Sequence, residues 1–250
     1  MLSNKNTATT ILLIRHGETA WNAEKRLQGH LDIALNAEGE RQAALLGAAL
    51  AAEPIDHIVS SDLQRARQTA EALARLRGME VGIDPALRER CYGGFEGLLY
   101  SEIAARYPLE FAAWQARDVD GVLPPGKNRG ESFREFYERT TAAIARHAAA
   151  HPGKTIALVA HGGVLECAYR AALGLSLETP RDFKVLNASV NRFVVEEGAL
   201  RLVSWGEVSH LQPAVLDDLG SAPNPTLYPC QYHTRNNRQK FCRYFEQRMR

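Results

Sequence analysis

TILLIRHGETAWN, spanning Thr10–Asn22, carries an unbroken apolar run, Ile11–Ile14, that leads straight into Arg15-His16-Gly17. A short continuous apolar run that ends in charged residues and a glycine reads as a strand buried on both faces, with its carboxyl end at a loop. The same pattern recurs downstream. Thr155–Ala160 runs into His161-Gly162-Gly163, His57–Ser60 is followed closely by Arg65, and Val81–Ile83 leads to Arg88-Glu89-Arg90. Asn191–Glu196 and Leu200–Trp205 read as two further strands joined across Glu197-Gly198-Ala199.

Helical patterns separate these strands. Asp62–Arg77 places Leu63, Ala66, Ala70, Leu73 and Leu76 on one face, and Ser61-x-x-Gln64 is placed to cap it. Ser132-x-x-Glu135 opens another helix, with Phe133, Phe136, Thr140 and Ile144 as its inward stripe and an end near His151-Pro152-Gly153. Alanine-rich Glu40–Glu53 makes a third. Strands alternating with helices predict an α/β fold. The expected form is a three-layer α/β/α sandwich around a mostly parallel sheet of about six strands, with one antiparallel edge strand.

The chain has 250 residues, 45% of them apolar, and a formal net charge of +1. That apolar share suits a sizeable core and excludes a disordered chain. No apolar run approaches the ~20 residues of a membrane helix, and Met1–Thr10 has no basic, apolar leader pattern. Cys91, Cys167, Cys230 and Cys242 have no paired spacing, which argues against a disulfide framework and a zinc site. The expectation is a cytoplasmic globular protein with one domain over residues 1–220. Residues 221–250 form a basic tail with six Lys/Arg and one acid, which leaves the rest at a net of −4. Such a balance gives little reason to expect a nucleic-acid partner.

In open α/β sheets, ligands bind beyond the carboxyl ends of the strands. Arg15, His16, Arg65, Glu89 and His161 should therefore converge on one rim. Paired guanidinium forks suit a phosphate dianion. Glycines after each histidine would let backbone N–H groups approach that anion. A neutral imidazole is a competent nucleophile near neutral pH, and a carboxylic acid with a raised pKa can protonate the leaving alkoxide. Together these parts suffice for metal-free phosphoryl transfer through a phosphohistidine.

Competing phosphate chemistries lack their residues. No G-x-x-x-x-G-K-[ST] loop occurs, and no Asp/Glu/His cluster has two-metal spacing. Cys242 and Arg248 enclose residues too bulky for an amide cradle. His147 and His151 read as solvated histidines near a helix C-terminus rather than metal ligands. Arg67, Arg75 and Arg77 read as a solvated face, and Glu18 as a structural ligand. For Glu89 the competing reading is a structural pair with Arg88 or Arg90.

LIRHGETAWN (Leu13–Asn22), SSDLQRARQTA (Ser60–Ala70), LRERCYGGFEG (Leu87–Gly97) and VAHGGV (Val159–Val164) occur in that order. Together they resemble the histidine phosphatase superfamily, the phosphoglycerate mutase-like proteins, over about Thr10 to His210. The resemblance implies that His16 is the phosphorylated nucleophile, with Arg15 and Arg65 as phosphate clamps. Glu89 is then the proton donor, and His161 the second histidine that supports the transition state. Asn22, Gln28, Gly29 and Gly162 match substrate-binding positions, and no metal or other cofactor is implied.

A mutase needs extra cations for a second phosphate and a carboxylate. The interval Cys91–Gly130 offers Arg106, Arg117, Lys127 and Arg129 against five acids, and its Gly130-Glu131-Ser132 end resembles the phosphatase branch. The expected function is a phosphomonoester phosphatase acting on a small phosphorylated metabolite. The alternatives are a cofactor-dependent phosphoglycerate mutase and a non-catalytic phospho-ligand-binding protein. Tyr100, Tyr107, Phe111 and Trp114 are expected on the surface that chooses the organic half, and the Ala-rich helices and tail offer surfaces for a homodimer.

Overall fold

Side chains of the two central strands point alternately to opposite faces, and that alternation places a layer of helices on each side. The computed structural model describes residues 8–211. The elements are β1 (Thr9–Arg15), α1 (Ala20–Ala23), α2 (Ala37–Ala49), β2 (His57–Ser60), α3 (Gln64–Arg75), β3 (Val81–Ile83), α4 (Tyr100–Arg106), α5 (Pro108–Gln115), α6 (Phe133–Ala150), β4 (Thr155–Ala160), α7 (Gly162–Leu173), β5 (Val190–Glu196) and β6 (Ala199–Glu207). Ile11 and Leu13 of β1, with Ile156 and Leu158 of β4, face Phe136, Ile144, Val164 and Leu165 of α6 and α7. Leu12 and Ile14, with Ala157 and Val159, face Leu46 of α2 and Ala66, Ala70 and Leu73 of α3. Strands apolar on both faces are what a sheet covered on both sides requires.

The sheet order is β3-β2-β4-β1-β5-β6. β1 to β4 are mutually parallel, so all four release their chains at the same edge of the sheet. β5 lies antiparallel to β1 and β6 antiparallel to β5, which gives the mostly parallel three-layer sandwich expected, except that the one antiparallel strand, β5, lies inside the sheet and the edge strand β6 runs parallel to β1. Glu197 and Gly198 join the last pair with φ of 51° and 79°. Both central residues with positive φ give the tight connection that suits the twist of a hairpin.

Several local expectations are corrected. The alanine-rich helix begins at Ala37 and ends at Ala49, because the Asn36 side chain accepts the Gly39 N–H and caps it earlier. α3 starts at Gln64, whose N–H is accepted by Asp32 Oδ1 at 2.7 Å rather than by a capping box at Ser61. Ser61 is instead drawn to His161, with its Oγ 2.9 Å from Nε2. Leu76 lies beyond the last residue of α3 and is 59% exposed, off the inward stripe. Arg77 leaves the solvated face and donates to the Leu50 and Glu53 carbonyls, where it closes the end of α2. His147 is half-buried with Nε2 2.7 Å from Asp84, and His151 packs against the ring of His57, so neither is a freely solvated histidine. Cys91 and Cys167 are buried free thiols. The capping box at Ser132 and Glu135 forms as read.

Tyr107, Phe111 and Trp114 form no open substrate surface. With Leu27, Tyr92, Phe95, Ile103 and Leu123 they build a third, smaller core under α4 and α5. Tyr100 stacks on Trp114 at the border of this core, with 13° between the ring planes. Among the described residues, no helix is long and apolar enough to cross a membrane. The basic tail, Cys230 and Cys242 lie outside the described residues.

Candidate active site

The residues that follow the parallel strands meet at one end of the sheet. Arg15 is the last residue of β1, and its Nη1 donates to the Val185 carbonyl at 2.6 Å. His16 follows, with Nδ1 2.6 Å from the carbonyl oxygen of Gly17. An imidazole nitrogen this close to a carbonyl is the protonated one, so Nε2 keeps the lone pair. Burial holds the His16 pKa well below 6.5, and the Arg65 and Arg15 charges push it further in the same direction. The ring is therefore neutral near neutral pH, and its free lone pair is that of a nucleophile.

Gly17 serves the site differently from the expectation. Its N–H donates to Thr69 Oγ1 at 3.0 Å, so it is committed to α3. A side chain at Gly17 would collide with the backbone of Gly39, and the glycine pair lets α2 approach this loop. Glu18 is structural as read, accepting from Asn36 Nδ2 at 2.8 Å. Asn22 closes a capping box with Thr19, and Asn22 Oδ1 accepts the Thr19 N–H at 2.9 Å, which fixes the carboxamide.

Arg65 is 1% exposed in the first turn of α3. Its Nη1 donates to the Leu31 carbonyl at 2.9 Å and its Nη2 to the Gly29 carbonyl at 2.8 Å. Two carbonyls orient the planar fork, a geometry that suits a phosphate dianion.

Glu89 makes neither of the structural pairs that competed for it. Arg88 is bidentate to Asp62, and Arg90 donates to the Glu131 carbonyl. Glu89 instead accepts the Arg90 N–H at 2.8 Å and the Gly163 N–H at 3.0 Å. Burial raises its pKa above 4.5, although these two N–H donors and the Arg65 and Arg15 charges pull the other way. A raised pKa of this kind is the direction that general-acid work by a carboxyl requires.

His161 is fully buried at the start of α7, its ring centroid 5.2 Å from that of His16. Burial, with the Arg65 charge next, keeps its pKa well below 6.5. Nε2 meets Ser61 Oγ, and Nδ1 has no hydrogen-bond partner among the described residues. A buried ring nitrogen left unsatisfied beside two guanidinium groups is a costly arrangement that structures retain mainly where it is used.

An open cavity of about 400 Å³ collects these groups, lined by Arg15, His16, Asn22, Gln28, Gly29, Arg65 and Glu89. Gln28 is 7% exposed, with its Oε1 unpartnered among the described residues. His161 and Gly162 are both buried and do not line the cavity. The glycine that the site needs is Gly163, where a Cβ would strike Glu89 Oε1 and the Phe136 ring. Lys25, Arg26, Leu27, Tyr92 and Tyr100 complete the lining. Lys25, Arg26 and Leu27 come from the loop after α1, and Tyr92 and Tyr100 from the stretch after β3. The lining holds four cationic side chains, Arg15, Lys25, Arg26 and Arg65, against the single carboxyl of Glu89, a balance that favours an anionic ligand.

Residues 11–208 match the family described as the histidine phosphatase superfamily (branch 1). A phosphoglycerate mutase-like protein 4 from Arabidopsis thaliana is 40% identical over 205 residues, which cover 81% of this chain and 86% of that protein. Two solved structures superpose closely. Mycobacterial glucosyl-3-phosphoglycerate phosphatase has a TM-score of 0.69 at 30% identity, over 80% of this chain and 100% of that one. Phosphoserine phosphatase from Entamoeba histolytica, solved with 3-phosphoglyceric acid, has a TM-score of 0.71 at 27% identity, over 81% and 98%.

Proposed function

This chain belongs to the histidine phosphatase superfamily, enzymes that act on phosphate esters, and on that basis we propose that it is a metal-independent phosphomonoester phosphatase working through a phosphohistidine. The observation that carries this reading is the cavity in which a neutral His16, two guanidinium forks and the Glu89 carboxyl, its pKa raised by burial, all meet.

The steps follow from the geometry. Arg15 and Arg65 hold the phosphoryl oxygens of a small phosphorylated metabolite and take up the charge that grows on them. His16 Nε2 forms a bond to phosphorus as the ester P–O bond breaks. Gly17 holds the opposite nitrogen throughout, so the ring cannot turn its N–H toward the substrate. Glu89 gives its proton to the leaving alkoxide and becomes a carboxylate held by the Gly163 and Arg90 N–H groups. It then accepts a proton from water, whose oxygen attacks phosphorus. The N–P bond breaks, and inorganic phosphate leaves with both side chains restored. His161, its ring 5.2 Å from that of His16, is the second histidine that supports the transition state, and Asn22, Gln28 and Gly29 shape the pocket.

Hydrolysis is favoured over isomerisation by the placement of the remaining cations. A mutase must hold a second phosphate and a carboxylate, yet Arg106, Arg117, Lys127 and Arg129 do not line the cavity, and of the two further cations that do, Lys25 and Arg26, the latter is paired with Glu24 and Glu102. Arg117 is paired with Glu166, Arg129 with Glu135, and Arg106 lies over Tyr107. Both solved neighbours named above are phosphatases, of phosphoserine and of glucosyl-3-phosphoglycerate.

The test is a panel of phosphomonoesters (phosphoserine, phosphoglycerates, sugar phosphates, p-nitrophenyl phosphate) assayed in excess chelator and ranked by kcat/KM. Release of inorganic phosphate together with an acid-labile labelled phosphoenzyme is the expected result. Efficient interconversion of 3- and 2-phosphoglycerate would overturn it in favour of a mutase. Ligand binding without turnover would leave a phospho-ligand-binding protein.

A further inference from the structure

Glu96 does not itself line the cavity where an ester would react, yet one of its oxygens joins the two loops that hold the reacting groups. Glu96 Oε1 accepts the backbone N–H of His30 at 2.8 Å and that of Tyr92 at 3.0 Å. The His30 amide lies in the loop whose Gly29 and Leu31 carbonyls receive the Arg65 guanidinium. The Tyr92 amide lies in the segment that carries Glu89. His30 Nε2 closes the ring of contacts, 2.8 Å from the Glu89 carbonyl.

Gly29 is built around the same oxygen. Its φ is +55°, and a Cβ there would overlap the Glu96 carboxylate. Residue 29 is thus a glycine for two reasons, the left-handed backbone and the approach of Glu96. Hydrogen bonds from backbone N–H groups to a carboxylate are about twice as strong as neutral ones. A single acceptor shared by two loops therefore fixes one against the other. Without it each would relax separately, since loops hold little local stability of their own.

Granting the phosphatase reading above, we infer that Glu96 is a positioning residue, which keeps the Arg65 clamp and the Glu89 acid in register across the cavity. Its carboxylate acts through backbone amides and never meets the substrate.

The experiment compares the full chain with Glu96→Ala, Glu96→Gln and Gly29→Ala on p-nitrophenyl phosphate and on phenyl phosphate, a poorer leaving group. Glu96→Ala should lower kcat/KM by about 10²-fold, as for a reacting group displaced by about 1 Å. The loss should be larger for phenyl phosphate, which depends more on Glu89, and KM should rise for both esters as Arg65 shifts. Glu96→Gln keeps a carbonyl oxygen in place and should recover most of the activity. A folded Glu96→Ala with unchanged kcat/KM and leaving-group dependence would overturn the inference. So would a folded Glu96→Gln that falls as far as the alanine variant. Should Glu96→Ala not fold, Gly29→Ala decides, since it displaces the same oxygen from the loop side. A leaving-group-dependent loss supports the latch, and an unaltered dependence removes it. Failure of the parent reading looks different, because the unmodified chain would then hydrolyse neither ester and trap no phosphohistidine.

Discussion

Glu89 Oε2 accepts the backbone N–H of Gly163 at 3.0 Å, which ties the carboxyl after β3 to the first turn of the helix after β4. The contact brings residues distant in the chain to one point of the cavity. It also explains the doubled glycine after His161, since a side chain at residue 163 would occupy the space of the carboxyl.

Gly163→Ala should therefore impair catalysis without removing any reacting group. The added methyl must displace Glu89 or Phe136, at a cost of about 1–3 kcal/mol in stability. Urea unfolding should register that loss, and kcat should fall more for poor leaving groups than for p-nitrophenyl phosphate. An alanine variant as stable and active as the parent would contradict the packing.

The pH dependence follows from two opposite shifts. His16 is held below 6.5, so it is neutral and nucleophilic above its lowered value and loses activity as pH falls through it. Glu89 is held above 4.5, so its useful proton is lost as pH rises through its raised value. A bell-shaped kcat/KM profile is expected, with its alkaline limb set by Glu89. Glu89→Gln should erase that limb and slow phenyl phosphate more than p-nitrophenyl phosphate.

His16→Ala should remove turnover by a factor of about 10⁴ or more, as loss of a covalent nucleophile does. No labelled phosphoenzyme should form. Residual trapping of label on the variant would assign the nucleophile elsewhere.

Arg65→Lys should lower kcat/KM by about 10²-fold, comparable to the loss of one preorganised donor. A point charge cannot at once meet the Gly29 and Leu31 carbonyls and present a fork to phosphate. Steady-state kinetics against p-nitrophenyl phosphate measures the change.

Stability should also respond to acid. The folded chain keeps His16 and His161 neutral, whereas the unfolded chain protonates both below the ordinary value of 6.5. The unfolded state then binds more protons, so folding free energy falls as pH drops through that region. Urea midpoints at about pH 7.5 and 5.5 should show the loss, and His16→Gln should make it smaller.

Chain-local chemistry was enough to read most of the frame. The Ile11–Ile14 and Thr155–Ala160 runs read as strands covered on both faces, and a charged residue or histidine at each exit marked the rim. His16, Arg65, Glu89 and His161 were legible because each follows a strand whose direction the alternating pattern implies. The boundaries of α2 and α3 were not, since Asn36 caps one earlier and Ser61 is drawn from the other by His161. A cap is settled by whichever partner is nearest in space, and sequence spacing ranks only the local ones.

The rest of the site depends on approach between distant segments. Gly163 rather than Gly162 matters because Glu89 arrives against it, and the cavity wall joins Lys25 from the loop after α1 to Tyr92 from the segment after β3. The pKa values belong to the same class: an imidazole or carboxyl takes its titration from how completely water is removed and which guanidinium groups stand near. Hydrophobic periodicity is written in neighbouring residues and survives in a string of letters. Burial, charge proximity and steric exclusion are sums over atoms that meet only after the chain has closed on itself.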